Sequence, residues 1–323
     1  MKAIRIHSTG GPEVLSYEDV ELAAPGPGQV LVRHAAIGVN FIDTYQRSGL
    51  YKLPLPSGLG GEAAGTVEAL GDGVTGFKLG DRVAYCTAPI GAYAEAHIVP
   101  AEKLIHLPDS ISFETAAAAM LKGLTVQYLL KQTFVVQPGQ TILFHSAAGG
   151  VGLIAGQWAK HLGARVIGTV GTDAKIALAK ANGCDAVLNL QDGDWVAKVK
   201  AITGGKGLPV VYDSVGKDTF EGSLDCLQPR GLMVSFGNSS GAVPPFSPTL
   251  LSAKGSLYLT RPTLFHYANT PAALQAMADD LFAVIASGAV KIAVNQRFAL
   301  ADAKAAHQAL HSRQTTGATI LAP

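Results

Sequence analysis

The chain has 323 residues, of which 48% are hydrophobic and 15% are charged, and its formal net charge is +1. This length predicts two domains, each with a sizeable core. The near-neutral charge, without a basic block, argues against nucleic acid or an anionic membrane as a partner. No apolar run reaches the ~18 residues of a membrane span, and the first residues lack the apolar core of a signal peptide.

The three cysteines, Cys86, Cys184 and Cys226, are isolated and form no C-x-x-C pair. Cysteines of this kind are typically reduced and buried in cytosolic proteins, so we expect a cytoplasmic protein. The small share of charged residues also suggests that some apolar surface is buried between subunits.

The first 110 residues are predicted to be rich in β-strands. Apolar or alternating runs predict strands at residues 2–7, 15–21, 29–37, 66–70, 82–86 and 93–99. Residues 40–47 are predicted as a short helix or loop, and residues 57–65 hold too much glycine for regular structure. A helix is predicted over 112–131, with Ser112 as its N-cap and Thr115 three residues on. We expect this helix to link the two domains.

The centre of the chain combines a predicted strand, a turn of small residues and a helix. The strand covers residues 141–144, and the turn that follows has the spacing Ala147-x-Gly149-x-x-Gly152. This spacing is close to the G-x-G-x-x-G pattern of dinucleotide-binding folds. Small residues let a pyrophosphate approach the backbone, and the helix N-terminus stabilises its charge. The alternative is that the glycines only pack a helix on a sheet.

Further apolar strands alternate with helices after this turn. Strands are predicted at 164–170, 186–190, 208–213, 231–236 and 256–260, and helices at 173–182 and 195–202. Strands that are apolar throughout and alternate with helices predict a parallel sheet covered on both faces. With the glycine turn on the first of six strands, we expect a doubly wound dinucleotide-binding sheet. Helices near 271–287 and 301–311 and strands at 294–300 and 318–321 are expected to return to the first domain.

A series of motifs along the chain points to one family. They are Gly10-Gly-Pro-Glu-Val-Leu15, Asn40-Phe-Ile-Asp-Thr-Tyr45, Ser48-Gly-Leu-Tyr51, Gly60-Gly-Glu62, Gly80-Asp-Arg-Val83, Lys122-Gly-Leu-Thr125, His145-Ser-Ala-Ala-Gly-Gly-Val-Gly152, Tyr212-Asp-Ser-Val-Gly216 and Val234-Ser-Phe-Gly-Asn-Ser-Ser-Gly241. By these motifs essentially the whole chain resembles the zinc-independent, zeta-crystallin-like quinone oxidoreductases of the medium-chain dehydrogenase/reductase superfamily.

The resemblance implies a fold of the α/β class with two domains. One is a GroES-like, β-rich catalytic domain over 1–122, completed by 265–323. The other is a doubly wound Rossmann domain over 123–264, with the active site in the cleft between them. Members are commonly homodimers or higher oligomers, so we expect a homodimer.

The zinc alcohol dehydrogenases of the superfamily hold their metal with two Cys and one His. The corresponding places here are Asn40, Gly61 and a helix that has no Cys between residues 116 and 126. A tetrahedral catalytic zinc needs thiolate and imidazole ligands, so we expect no metal. His307 and His311 have helical spacing but no evident third ligand, and a solvated helix face is the favoured interpretation of this pair.

The cofactor is expected to be NADPH. An NAD-specific fold places an acid about 20 residues beyond the glycines, whereas Gly171 and Thr172 occupy that place here. Lys175 can pair with a 2′-phosphate, and Arg313 matches a family arginine that helps there. Asp173 is the competing signal, but we favour it as the N-cap of the following helix. Relatives often have a tyrosine at the end of the third strand, where its ring packs near the adenosine; here that residue is Leu190.

The resemblance also implies the residues at the reacting end. Asn40, Tyr45, Tyr51 and Thr125 are expected to act in catalysis, with the tyrosines stacking on a planar quinone. The cofactor-binding set is Asn40, Tyr45, Thr125, Gly149, Gly150, Val151, Gly152, Thr172, Lys175, Val215, Phe236, Gly237, Asn238, Ser239, Ser240, Thr260, Arg261 and Arg313.

Four other polar residues are assigned lesser roles. Asp43 is a candidate general acid, but a place on the helix surface or a structural role is favoured. Glu62 and Asp213 are interpreted as supports of the cleft, and His145 as packed beneath the glycine turn.

We therefore predict a metal-free enzyme that reduces small planar quinones with hydride from NADPH. Two alternatives stay open. The first is an NADPH-dependent reductase of the C=C bond of an enone or alkenal, because both substrates develop charge on oxygen. The second is a structural, sensor or RNA-associated protein that binds NADPH without significant turnover; the near-neutral charge argues against RNA.

Overall fold

The computed structural model describes the whole chain, from Met1 to Pro323. The chain folds into two compact units. The first unit comprises Met1–Leu124, Ala268–Ala286 and Ile292–Pro323, and the second comprises Thr125–Tyr267 and Ser287–Lys291. The sequence analysis assigned a catalytic domain to 1–122 with 265–323 and a dinucleotide-binding domain to 123–264, and these limits stay a prediction.

The first part of the chain is rich in strands, in agreement with the sequence. Its elements are β1 (Lys2–Ile6), β2 (Ser16–Asp19), β3 (Gln29–Val39), α1 (Phe41–Ser48), β4 (Ser57–Gly58), β5 (Ala63–Leu70), β6 (Arg82–Tyr85), β7 (Ala96–Pro100), β8 (Ile105–His106) and α2 (Phe113–Tyr128). The expectation of no regular structure over 57–65 is wrong at both ends, since β4 and the start of β5 lie there. Ser112 caps α2 as predicted, because its Oγ accepts the Thr115 N–H at 3.1 Å.

The elements of the second unit alternate between strand and helix. They are β9 (Thr141–Phe144), α3 (Gly150–His161), β10 (Arg165–Val170), α4 (Ile176–Ala181), β11 (Ala186–Asn189), α5 (Trp195–Ile202), β12 (Leu208–Asp213), α6 (Phe220–Asp225), β13 (Leu227–Ser235), α7 (Thr249–Ala253), β14 (Tyr258–Thr260) and α8 (Leu264–Tyr267). The short helices α6, α7 and α8 were not predicted from the sequence.

The six strands β9 to β14 form one parallel sheet with the order β11-β10-β9-β12-β13-β14. Leu143 pairs with Ile167 on one side and Val211 on the other, so β9 is central. The direction of strand order reverses between β9 and β12, which is the topological switch point where such sheets bind ligands. The predicted doubly wound sheet is therefore confirmed.

The chain ends with α9 (Pro271–Ala286), β15 (Val294–Ala299), α10 (Ala303–His311) and β16 (Ala318–Ala322). In the first unit, β16 pairs with β3, which also pairs with β5 and β7. A sheet with the path β15-β16-β3-β5-β6-β8 results, beside a smaller sheet ordered β2-β1-β4. The core of this unit contains Ile4, Val32, Val83 and Leu321, all at 2% exposure or less. No helix of the chain combines the length and apolar composition that crossing a membrane requires.

Candidate functional site

The glycine turn lies at the carboxyl end of the central strand β9. Helix α3 begins at Gly150, with Gly149 as its N-cap in an extended conformation (φ −79°). A Cβ on Gly152 would collide with the Ser146 carbonyl oxygen and lie 2.6 Å from Ala147 Cα. Gly152 is therefore required by the close packing of the helix on the turn.

Gly149 differs from Gly152 in its surroundings. A Cβ on Gly149 would meet only the Ser146 oxygen, at 3.3 Å. Its surface is thus open to an approaching group, next to the N-terminus of a 12-residue helix. This arrangement of a free backbone surface and a helix dipole fits the pyrophosphate of a dinucleotide.

The other predicted cofactor residues of the second unit follow neighbouring strands of the same sheet. Because the six strands are parallel, their carboxyl ends lie at one edge. The residues placed at this edge are Thr172 and Lys175 after β10, Val215 after β12, Phe236, Gly237, Asn238, Ser239 and Ser240 after β13, and Thr260 and Arg261 at the end of β14. The structure therefore brings this part of the predicted set to a single edge.

Hydrogen bonds hold the loop after β13 against the loop after β12. The Ser239 N–H donates to the Ser214 oxygen at 3.1 Å, and the Ser240 N–H donates to the Val215 oxygen at 2.8 Å. A Cβ on Gly237 would lie 2.9 Å from Ser214 Cα, so the two loops touch at that point. Arg261 Nη1 donates to the Ser235 oxygen at 3.0 Å. Hydrogen bonds and contacts within the protein therefore hold the loops of this edge in place.

Asp213, at the end of β12, holds the loop that follows this strand by hydrogen bonds. It is fully buried, and its Oδ1 accepts the N–H groups of Val215 (2.7 Å) and Gly216 (3.0 Å). Its Oδ2 accepts the hydroxyl protons of Thr219 and Ser223, each at 2.7 Å. These bonds agree with the supporting role predicted for Asp213.

His145 is fully buried next to Asp213, under the turn that it begins. Its Nε2 lies 2.9 Å from Ser223 Oγ and its Nδ1 lies 2.8 Å from Thr169 Oγ1. Because Ser223 donates its proton to Asp213, it must accept from Nε2–H of His145, which places a proton on that nitrogen. Burial lowers the pKa of His145 and favours the neutral form, so the structural role predicted for it agrees with its contacts.

After β10, the Asp173 carboxylate is bonded to another side chain of the protein. Asp173 does not cap α4 as predicted, because it lies inside the short 3₁₀ turn Asp173–Lys175 and the N-cap of α4 is Lys175. Asp173 Oδ1 instead accepts from Asn189 Nδ2 at 2.9 Å. A Cβ on Gly171 would meet nothing within 4 Å, so the space there is open. Partial burial lowers the pKa of Lys175.

In the first unit, Asn40 is the N-cap of α1 and is 7% exposed. Its Nδ2 donates to Glu62 Oε2 at 2.7 Å, and its Oδ1 accepts from Lys122 Nζ at 2.7 Å. The second oxygen of Glu62 accepts the Leu121 N–H at 2.6 Å. Glu62 therefore supports Asn40 directly, and Lys122 is a member of the site that sequence analysis missed.

Tyr45 and Tyr51 lie together in the first unit and are half-buried. Their ring centroids are 5.5 Å apart in an edge-to-face arrangement, and the Tyr51 N–H donates to the Tyr45 oxygen at 3.0 Å. Phe41 lies 6.4 Å from the Tyr45 ring and is 37% exposed. This partly open aromatic surface can stack on a planar molecule.

Asp43 lies inside the first unit, so the surface position considered for it from the sequence is wrong and its contacts agree with the structural role. It is 1% exposed, and its Oδ2 accepts the Asn40 N–H and the Tyr93 hydroxyl, each at 2.8 Å. Tyr93 Oη also lies 3.0 Å from Nε2 of His307, whose Nδ1 lies 2.9 Å from Arg47 Nη1. Because Arg47 can only donate, the hydrogen bonds run in one direction, from Arg47 through His307 and Tyr93 to Asp43.

His307 is fully buried within this chain of hydrogen bonds, so the solvated helix face predicted for His307 and His311 is wrong for His307. Burial and the Arg47 charge lower the pKa of His307 to about 3. No group of three or more His, Cys, Asp or Glu side chains in the chain is placed to hold a metal ion.

Burial gives Asp43 a testable pH dependence, because it raises the pKa of this carboxyl from 3.8 to about 7. The folded state holds the proton over this range and the unfolded state does not, so the contribution of Asp43 to stability is lost as pH rises through about 7. We expect the unfolding free energy of the wild type to fall relative to Asp43→Asn by about 3 kcal/mol between pH 4 and 7.

Urea unfolding at a series of pH values measures this difference. Asp279→Asn, on the exposed side of α9, is the control. Parallel stability profiles of the wild type and Asp43→Asn would contradict the prediction.

Two further predicted residues lie at the ends of helices. Thr125 is in α2, at the start of the second unit, and shares a hydrogen bond with Tyr128, which stacks on Tyr267 at 4.4 Å. Arg313 follows α10 in the first unit, is exposed and has a left-handed backbone (φ 58°). Their roles toward a cofactor stay predictions.

The fold and this edge define a protein of the dinucleotide-binding oxidoreductase class, and comparisons with known proteins agree. Residues 26–109 match the alcohol dehydrogenase GroES-like domain, and residues 150–279 match the zinc-binding dehydrogenase family. A quinone oxidoreductase of Pseudomonas aeruginosa is 59% identical over 100% of this chain and 99% of its own. A 2-haloacrylate reductase of a Burkholderia species is 46% identical over 98% of both chains.

A solved structure gives the same result. The crystal structure of Escherichia coli quinone oxidoreductase complexed with NADPH is 53% identical, covers 100% of both chains and has a TM-score of 0.99. The chain belongs to the quinone oxidoreductase family of the medium-chain dehydrogenase/reductase superfamily.

Proposed function

We propose that this protein is a metal-free enzyme that reduces small planar quinones with NADPH. The observation that carries the proposal is the match, over the full length, to an E. coli quinone oxidoreductase complexed with NADPH. The open backbone at Gly149 supports a dinucleotide, and the bond that Asn189 donates to Asp173 supports NADPH over NADH.

Bound NADPH supplies a hydride. The quinone accepts this hydride, which is one proton with two electrons, and becomes a hydroquinone monoanion, while NADP⁺ is the other product. A proton from water then completes the hydroquinone. The chain's task is to position the reactants and stabilise the charge that develops on oxygen.

The residues divide between these tasks. The N–H groups at Gly149–Gly152 bind the pyrophosphate, and Lys175 and Arg313 pair with the 2′-phosphate. Tyr45 and Tyr51 stack on the quinone, and Asn40 and Thr125 donate hydrogen bonds to it or to the nicotinamide amide. The edge residues Val215, Phe236–Ser240, Thr260 and Arg261 contact the nicotinamide end.

The surroundings of Asn40 support the absence of a metal. Both ends of its carboxamide are engaged with Glu62 and Lys122, so its oxygen is already bonded to an ammonium group at the place where the zinc enzymes have a Cys ligand. One tightly bound zinc per subunit by elemental analysis would overturn this part of the proposal.

The proposal is tested by following the loss of NADPH absorbance with benzoquinones, naphthoquinones and enones, with NADH in parallel. Turnover of quinones with a preference for NADPH is the expected result. Bound NADPH without turnover of any acceptor would favour the non-enzymatic alternative.

Lys175 allows the cofactor preference to be tested. We expect Lys175→Ala to raise KM for NADPH about tenfold and to leave KM for NADH nearly unchanged, because only NADPH carries the 2′-phosphate. Lys180→Ala, an exposed lysine on α4, is the control. Equal effects on both cofactors would contradict the assignment.

A second candidate function is reduction of a C=C bond conjugated to a carbonyl or carboxylate. The 46% identity to a 2-haloacrylate reductase favours it, and both reactions place negative charge on oxygen. Values of kcat/KM for enones and quinones, measured side by side, distinguish the two.

We also propose that the protein works in the cytoplasm as a homodimer. The small share of charged residues, 15%, supports burial of surface between subunits. A monomer at micromolar concentration in sedimentation would contradict the dimer.

A further inference from the structure

Three residues from separate motifs form one buried polar cluster in the first unit. They are Asn40, Glu62 and Lys122, at 7%, 0% and 7% exposure. Lys122 Nζ lies 2.7 Å from Asn40 Oδ1 and 3.5 Å from Glu62 Oε2. The buried ion pair of Lys122 and Glu62 therefore binds both ends of the Asn40 carboxamide. Burial of two charges is costly unless each is well bonded, so the cluster needs a reason beyond stability.

The cluster fixes which way the Asn40 carboxamide points. An ammonium group can only donate and a carboxylate can only accept, so Lys122 must face the amide oxygen and Glu62 must face the amide nitrogen. Flipping the amide would place donor against donor and acceptor against acceptor. The Leu121 N–H, bonded to Glu62 at 2.6 Å, holds the carboxylate in place.

One hydrogen of the amide nitrogen remains after the bond to Glu62, because a carboxamide carries two. Lys122 withdraws electron density from the amide oxygen, which strengthens the remaining N–H as a donor in a low-dielectric site. Asn40, which the proposed function places next to the substrate, therefore faces it with an N–H donor.

We propose that Lys122 and Glu62 are positioning residues that hold Asn40 as a hydrogen-bond donor to the substrate oxygen on which negative charge develops. This inference rests on the proposed function. The hydroquinone monoanion carries its charge on one oxygen, and a donor fixed before the reaction stabilises that charge at no cost of reorganisation. An amide free to flip would present its oxygen to the anion part of the time.

Lys122→Met tests the inference because it keeps the length of the side chain and removes the charge. We expect kcat for quinones to fall about tenfold with little change in KM, which is below the ~100-fold typical of losing the oxyanion donor itself. The loss should be greatest for quinones whose hydroquinones are the weakest acids, since these place the most charge on oxygen. Lys103→Met, on a short helical turn after β7, is the control.

A binding measurement without turnover complements the kinetics. para-Nitrophenol is a planar phenol whose ionised form is coloured and carries an oxyanion. We expect the wild type to bind the phenolate about tenfold more tightly than the phenol, as shown by absorbance titration across pH. Lys122→Met should lose this preference, and Lys103→Met should keep it.

The outcomes separate the inference from the proposed function. Loss of the phenolate preference and of kcat in Lys122→Met supports the inference. Retention of both, with an active wild type, overturns it and leaves the proposed function intact. A wild type that reduces no quinone overturns the proposed function and the inference with it. If Lys122→Met does not fold, the double variant Lys122→Met/Glu62→Gln, which buries no lone charge, decides by the same two measurements.

Discussion

Replacing Gly152 with alanine is expected to lower both the stability of the second unit and the affinity for NADPH. The new Cβ would overlap the Ser146 carbonyl oxygen and lie 2.6 Å from Ala147 Cα. Both atoms belong to the backbone of the turn, so neither can move aside without displacing the N-terminus of α3. Overpacking of this kind costs about 2–3 kcal/mol, and we expect thermal unfolding to begin at least about 5 °C lower.

The displaced helix would also present its N–H groups poorly to the pyrophosphate. We expect Kd for NADPH, measured by fluorescence titration, to rise at least about tenfold. Gly171→Ala is the control for stability, since its Cβ would meet nothing within 4 Å. Gly149→Ala should spare stability and weaken NADPH binding. Unchanged melting of Gly152→Ala would show that the turn adapts and that packing does not require glycine there.

Loss of the Asp213 carboxylate should destabilise the second unit still more. Asp213→Ala leaves the N–H groups of Val215 and Gly216 and the hydroxyls of Thr219 and Ser223 without their acceptor in a fully buried site. Each stranded donor costs about 1–3 kcal/mol, so we expect a loss of at least about 4 kcal/mol in urea unfolding.

Two further variants are compared with Asp213→Ala for their loss of stability. Asp213→Asn keeps one acceptor oxygen and should be intermediate, because hydroxyl groups can rotate to accept from the new amide. Asp218→Ala removes an exposed carboxylate five residues on and should have little effect. If Asp213→Ala and Asp218→Ala unfold at the same urea concentration, the supporting role of Asp213 is refuted.

Much of the fold could be predicted because the parallel sheet has a clear sequence pattern. Strands β9 and β12 are mainly apolar, and the predicted bounds of both agree with the structure. The short helix α6 was missed since its sequence, Phe-Glu-Gly-Ser-Leu-Asp, has weak helix propensity. Its Ser223 is instead tied to Asp213 by a tertiary hydrogen bond. Local sequence does not reveal such a contact.

The site residues of the first unit were harder to place, because α1 reverses the usual burial pattern. It buries Asp43, Thr44, Gln46 and Arg47 and exposes Phe41. An apolar pattern therefore assigns the wrong face to the interior. Arg47 is hydrogen-bonded to Gly10 and to His307, which is 260 residues away, so only the tertiary structure shows why these polar groups are buried.

The Asn40 cluster illustrates the same limit. Its three members lie in three motifs that the sequence analysis recognised separately. Lys122 is 82 residues from Asn40 and 60 from Glu62. Motif matching identified each stretch as familiar but could not show that the three side chains share one carboxamide.

The three cysteines have a consequence for an enzyme that handles reactive substrates. Cys86, Cys184 and Cys226 are all free and buried. Burial raises the pKa of the Cys86 thiol and brings those of Cys184 and Cys226 to about 12. Quinones and enones are electrophiles that arylate or alkylate thiolates. Buried thiols with raised pKa values ionise to the thiolate only to a very small extent. Burial thus keeps the nucleophilic sulfur atoms of the chain away from the molecules that it is proposed to reduce.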